Sequence, residues 1–440
     1  CNGHTICIEI SEMKTLVKGG RILDPKNQID EVADLFIADK TICGIGSTPS
    51  GFTADRILDA EDKIVCPGFI EIGCDLEGLS PDTFNVEQEL MAATAGGFTV
   101  VSLLPISTGN FEQQGSIGRE KGRSGKAKVK HLGSFTLEQK GEVLSEMEAL
   151  KTAGCIGLAT NGRSVINTSV LRNALAYASS LDLLILLDSH DAWLNDGGIM
   201  RSGPSNIMAG LAGIPNSSEL IGLMRNLILV EEIGVRAHMR NLSVSESAVL
   251  IARFSGAKVS SDVSISHLAL CDENIDSCDP NFKVIPPLPT KTDQDILLAQ
   301  LSKGEIDILS SKHQPITADY KSGTFESSKP GISGFDTFLS LMLRIADSGK
   351  ITLPRLIEAA TSAPAKAMGI DGGDLSINSK ADICVFDPNL MWVADKENFK
   401  SLGQNNPLFG TTLKGKVTQT LIDGNIIYDY QKPQKMTSLL

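Results

Sequence analysis

A chain of 440 residues, 42% hydrophobic and 21% charged, is that of a folded globular protein with room for one large core and a second module. Its net charge of −13 argues against a nucleic-acid surface, which needs clustered Lys and Arg against phosphate. No apolar run reaches the roughly 18 to 20 residues of a membrane span, and nine scattered cysteines without a CxxC pair read as reduced thiols in a cytoplasmic protein.

In chain order, residues 1–12 precede a more ordinary start at Met13 and read as a non-native or disordered extension; a mature lipoprotein beginning at Cys1 is the alternative. Short strand runs with turn residues between them follow in TLVKGGRILDP, DLFIADKTICGIG and RILDAEDKIVCPG. ADICVFDP and GKVTQTLIDGNIIY, near the other end, look the same. Neither end can bury a core alone, so 13–66 and 370–440 are expected to build one small β-sandwich together, with the segment 67–369 inserted between its halves.

Within 67–369 eight short apolar or β-branched runs recur: PGFIEIG, GGFTVVSLLP, KHLGSFTL, GCIGLAT, LLILLDS, VRAHMRNLS, AKVSSDVSI and IDILSS. Helical spacing lies between most of them, in VEQELMAATAG, EVLSEMEALKTAG, SVLRNALAYASSL, SSELIGLMRNLILVEEIG and DQDILLAQLSKGE, several ending in the Gly that a helix C-terminus prefers. Eight such units indicate an α/β chain folded as a parallel (β/α)8 TIM-like barrel more readily than an open doubly wound sheet. The basic run GREKGRSGKAKVK, Gly118 to Lys130, reads as a solvated loop.

Reacting groups of a parallel barrel stand at the C-terminal ends of its strands. Those ends carry Gly73, Cys74 and Asp75, then Thr160 and Asn161, then Asp188, Ser189 and His190, then Asn241, and last Lys312 and His313. A hydrolytic zinc site needs converging imidazoles or carboxylates with one open position. The six histidines form no HxH or HExxH pair. Asp75 and Asp188 can share a site, but Lys312 brings a cation to the same mouth, and a Lys between two Asp makes a better salt-bridge cluster than a metal site.

From about Lys14 to Tyr428 the chain resembles the type I dihydroorotases of the amidohydrolase superfamily. The resemblance rests on PGFIEIG, AATAGGFTVVSLLP, LAGIPNSSE, DPNFKVIPPL, TSAPAKAMG, DLSINSKADICVFDP and NNPLFGTTLKGKV, which occur in family order. It implies the zinc-dependent closure of carbamoyl aspartate to dihydroorotate, the third step of pyrimidine synthesis. The departures are systematic. The family's HxH falls on Gly73 and Asp75, its bridging aspartate motif on Thr160, Asn161 and Gly162, its next two histidine ligands on Asp188 and Asn241, and its catalytic Asp on Lys312. The second His of that last motif falls on Ile316, and the substrate anchors fall on Glu77, Ile106 and Ile285.

SSKHQP, LAGIPNSSE and GVRAHMRNLS look closest to the non-catalytic dihydroorotase-like subunits that some bacteria assemble with aspartate transcarbamoylase. The resemblance therefore implies a chain that is not an enzyme, carries no metal cofactor and forms a hetero-oligomer with the aspartate transcarbamoylase catalytic chain. The alternative is an active dihydroorotase or related cyclic amidase with a site rebuilt from Cys74, Asp75, Asp188 and His190. A third reading is a regulatory module that binds a ligand in the emptied pocket. Loss of a dication beside carboxylates further predicts that Lys312 closes on Asp75 or Asp188 as an internal ion pair.

Overall fold

The structure is a computed structural model that describes residues 13–79, 85–106, 126–275 and 278–430. The expectation for residues 1–12 lies outside these, as does most of the basic run. Its last residues, Lys128 to Lys130, begin a barrel strand instead of continuing a loop. Lys128 is held there by Asp382 at 2.7 Å and Asp423 at 2.9 Å.

Eight parallel strands form the barrel: β1 (Phe69–Cys74), β2 (Phe98–Leu103), β3 (Lys128–Ser134), β4 (Cys155–Ala159), β5 (Leu184–Asp188), β6 (Ala237–Arg240), β7 (Val259–Ser264) and β8 (Ile308–Ser310). Each overlaps one of the eight expected runs, β1 running on to Cys74 and β3 starting two residues earlier, at Lys128. Most of their residues are buried, because in a parallel barrel one face packs inward and the other packs under helices. The seam between β1 and β8 is joined by side chain as well as backbone. The Glu71 carboxylate accepts from Ser311 N at 2.9 Å and from Ser311 Oγ, and Asp75 N donates to the His313 carbonyl at 3.0 Å.

The helices include α1 (Val86–Ala95), α2 (Met147–Ala153), α3 (Thr168–Ser180), α4 (Asn216–Ile233) and α5 (Lys291–Lys303). Asn85 caps α1 by accepting from Gln88 N at 3.2 Å, and Gly234 stops α4 with a left-handed φ of 75° that costs glycine little. The expected helix over EVLSEMEALKTAG shortens to its last turns. Ser145, ahead of α2, donates its hydroxyl to the Ser134 carbonyl at 2.5 Å, which ties that stretch to the end of β3.

Both chain ends enter a second eight-stranded sheet. Ile64–Pro67 is its junction, parallel to Lys14–Asp24 on one side and antiparallel to Ile383–Val393 on the other. The expected sandwich of both termini is thus built as one continuous hydrogen-bonded sheet. Val17, Ile22, Leu35, Ile37, Ile383 and Leu421 form its own apolar cluster.

Candidate active site at the barrel mouth

The strand ends place the sequence candidates around the C-terminal mouth. Asp188, at the end of β5, is buried and fully engaged. Its carboxylate accepts from Gly162 N at 2.8 Å, Thr160 Oγ1 at 3.2 Å, Asn241 Nδ2 at 3.3 Å and Arg240 Nη1 at 3.0 Å. Arg240, the last residue of β6, also donates to the Thr160 carbonyl at 3.1 Å. This arginine lies within the quoted GVRAHMRNLS but is missed by motif reasoning, because its partner is 52 residues away in sequence.

Arg240 crowds Gly73. A Cβ at position 73 would lie 3.1 Å from Arg240 Nη2 and 3.3 Å from its Nε. The guanidinium therefore fills the space into which a side chain from this position would project.

Asp75 belongs to a neighbouring set. It accepts from Gln314 Nε2 at 2.8 Å and Asn161 Nδ2 at 3.2 Å. Asn161 also donates to the Pro105 carbonyl at 3.1 Å and toward Glu77 at 3.4 Å, while Glu77 stands 3.7 Å from Arg163. Ile106 is buried and lines a mainly apolar cavity of about 200 Å³ with Leu76, Leu103 and Pro105. Cys74 is fully buried, and its burial, reinforced by Glu71, Glu89 and Asp75, pushes the thiol well above its ordinary range.

Lys312 corrects the predicted ion pair. Its amine donates to the Ile285 carbonyl, and among the described residues Asp188 pairs with Arg240 instead. The chain turns at Lys312 with φ 48° and at Asn241 with φ 55°, left-handed backbone that a side-chain-bearing residue seldom adopts. Lys312 reaches the Ile285 carbonyl and Asn241 Nδ2 reaches Asp188 from these two positions. The carboxylates still act on Lys312 at a distance. Burial pushes its amine down to about 8, with Asp188, Asp262 and Asp75 opposing that drop and Arg240 adding to it.

The histidines take structural places. His313 hydrogen-bonds Glu89 through Nε2 at 2.9 Å, accepts from Gly334 N at 3.1 Å through Nδ1 and stacks on Phe335. His267 is fully buried between Ser264 and the Pro286 carbonyl, and that burial pushes it down to about 3. His190 is half-buried and is likewise pushed below its ordinary range by burial. His238 binds Asp262 at 3.0 Å, inside the barrel.

The same fold is seen in hydantoinase structures. L-hydantoinase from Arthrobacter aurescens matches with a TM-score of 0.82 at 22% identity, covering 94% of this chain and 96% of the other. The "Dihydro-orotase-like" family model matches residues 62–247, and the "Amidohydrolase family" model matches 208–427. A dihydroorotase-like protein of Pseudomonas aeruginosa is 35% identical over 95% of this chain and 100% of its own length. The chain belongs to the dihydroorotase-like amidohydrolases.

Two expectations fall with that membership. The expected lack of enzymatic activity is corrected by full-length relatives named dihydroorotase, such as those of Syntrophus aciditrophicus at 33% identity and Geobacter metallireducens at 32%, each over 94% of this chain. The expected lack of a metal cofactor is corrected by the family, whose members are typically metal-dependent. In this dihydroorotase-like chain the mouth as arranged does not fit a dication. Among the described residues no three His, Cys, Asp or Glu side chains converge on one point. Asp188 is occupied by four donors, and the Arg240 cation stands against Gly73.

Proposed function

We propose that this dihydroorotase-like amidohydrolase works in pyrimidine biosynthesis assembled with the catalytic chain of an aspartate transcarbamoylase. The observation that carries the assembly is apolar surface beside the mouth. After β5 the chain makes an excursion of two short helical turns, Ala192–Asn195 and Pro204–Ala209, on which Trp193, Ile207 and Met208 are 77%, 76% and 89% exposed. The first turn packs on α4, whose outward Ile221, Met224 and Ile228 are spaced along one helical face and remain open to solvent. Large apolar side chains exposed in this way favour a protein partner over water. The identity of the partner comes from the motif resemblance. Co-expression with the transcarbamoylase chain of the same organism is expected to give one stable complex by light scattering; separate elution contradicts the reading.

A second reading, favoured by the relatives named dihydroorotase, is turnover of a cyclic amide at the mouth. An amine brought down to about 8 is close to the range in which a side chain gives or takes a proton at neutral pH. Ring opening of dihydroorotate, followed with and without added zinc, tests it. A rate that falls in Lys312→Met while the fold is retained supports the reading, and no turnover in either condition removes it.

A further inference from the structure

At the opposite end of the barrel lies a cleft of about 1520 Å³ between the strand starts and the terminal sheet. Leu184, Ala237 and Val259, the first residues of β5, β6 and β7, form part of its floor. Pro25, Lys26 and Gln28 come from the sheet side, and the segment from Ile370 to Lys380 supplies another wall. In a barrel this face ordinarily serves stability, yet its charge is unlike that of the rest of the molecule.

Seven cations line it (Lys26, Arg236, Lys258, Lys303, Arg355, Lys366, Lys380) against four carboxylates (Asp307, Glu358, Asp371, Asp374), an excess of three positive charges on a chain of net −13. Much of the acid is already engaged. Asp374 holds Lys26 at 2.5 Å, Glu358 holds Arg355 at 3.0 Å, and Asp307 accepts from Ser261 N at 2.9 Å. Arg355 is also fixed by the Leu301, Ile306 and Asp307 carbonyls. Lys258, Lys303, Lys366 and Lys380 are exposed, and among the described residues their ammonium groups have no intramolecular partner. Unneutralised cations around a concave surface raise the local concentration of anions in the cleft. Lysine ammoniums on flexible stems suit phosphate oxygens as point charges. Ala363, Ala365, Ala367 and Ile370 add a shallow apolar wall.

We propose that this cleft binds a small, multiply charged phosphate compound, held by Lys258, Lys303, Lys366 and Lys380. The inference is independent of the mouth and of any partner chain. Inorganic tripolyphosphate is the probe, titrated calorimetrically into the full chain at low and high salt. Saturable one-site binding that weakens with salt is expected, with at least a tenfold loss in a variant carrying Lys→Ala at all four positions. A second variant removes the same charge elsewhere, at Lys291, Lys329, Lys400 and Lys414, and is expected to bind as the wild type does. Failure of the wild type to bind millimolar tripolyphosphate, or equal losses in the two variants, overturns the proposal. Circular dichroism of both variants keeps a folding defect from passing for a lost site.

Discussion

Replacing Arg240 with Met keeps the length and apolar stem of the side chain and removes its charge. The side chains of Arg240 and Asp188 are only 5% and 10% exposed, with Nη1 to Oδ2 at 3.0 Å. The variant would leave a buried carboxylate with three neutral donors, Gly162 N, Thr160 Oγ1 and Asn241 Nδ2. Removing one partner of a buried pair costs about 3–5 kcal/mol, since the remaining charge keeps its desolvation penalty. Urea denaturation followed by circular dichroism reads the change, and a loss in that range is expected for Arg240→Met. Removing both charges, in Arg240→Met with Asp188→Leu, is expected to recover much of it. A loss below about 1 kcal/mol for the single variant would mean that the pair is solvated like a surface bridge and not buried.

Gly73→His is expected to destabilise the wild-type chain, because its Cβ would meet Arg240 Nη2 at 3.1 Å, and to be better tolerated with Arg240→Ala; paired melting curves give the coupling. Lys321 is pushed down to about 7, by burial first and by Lys283 second, while its unfolded amine titrates near 10.4. Its charge penalty is therefore complete below pH 7 and relieved as pH rises from 7 toward 10. Wild-type stability should gain on Lys321→Met through that window, by up to about 1.4 kcal/mol per pH unit; parallel stability curves contradict this. His267, pushed down to about 3, should stay neutral by nitrogen NMR at pH 5, and since the unfolded imidazole protonates near 6.5, stability is lost as pH falls from there toward 3. Protonation of the folded His267 near pH 6 would contradict its burial.

The eight barrel strands were legible because each is a short apolar run set off from helical spacing, a pattern that local sequence carries in full. The wall positions of the mouth were legible for the same reason: Gly73, Asp75, Asn161, Asp188, Asn241 and Lys312 all stand at strand ends. What occupies the mouth was not. The ion pair belongs to Arg240, which reads as one more strand residue until β5 and β6 lie side by side. The predicted Lys312 pair is not formed because Arg240 already holds Asp188 and the Lys312 amine goes to the Ile285 carbonyl, contacts that no spacing rule foretells. His313 stood among the strand-end candidates, yet its ring is claimed by Glu89, 224 residues earlier.

The most direct test of the assembly is a titration of purified aspartate transcarbamoylase catalytic chain with this protein, reading transferase rate and co-eluting mass together. A saturable change in rate with a complex of fixed stoichiometry is expected, lost when Ile207→Glu and Met208→Glu place charge on the exposed excursion. A transferase rate and elution volume that never respond to the wild-type chain would contradict it.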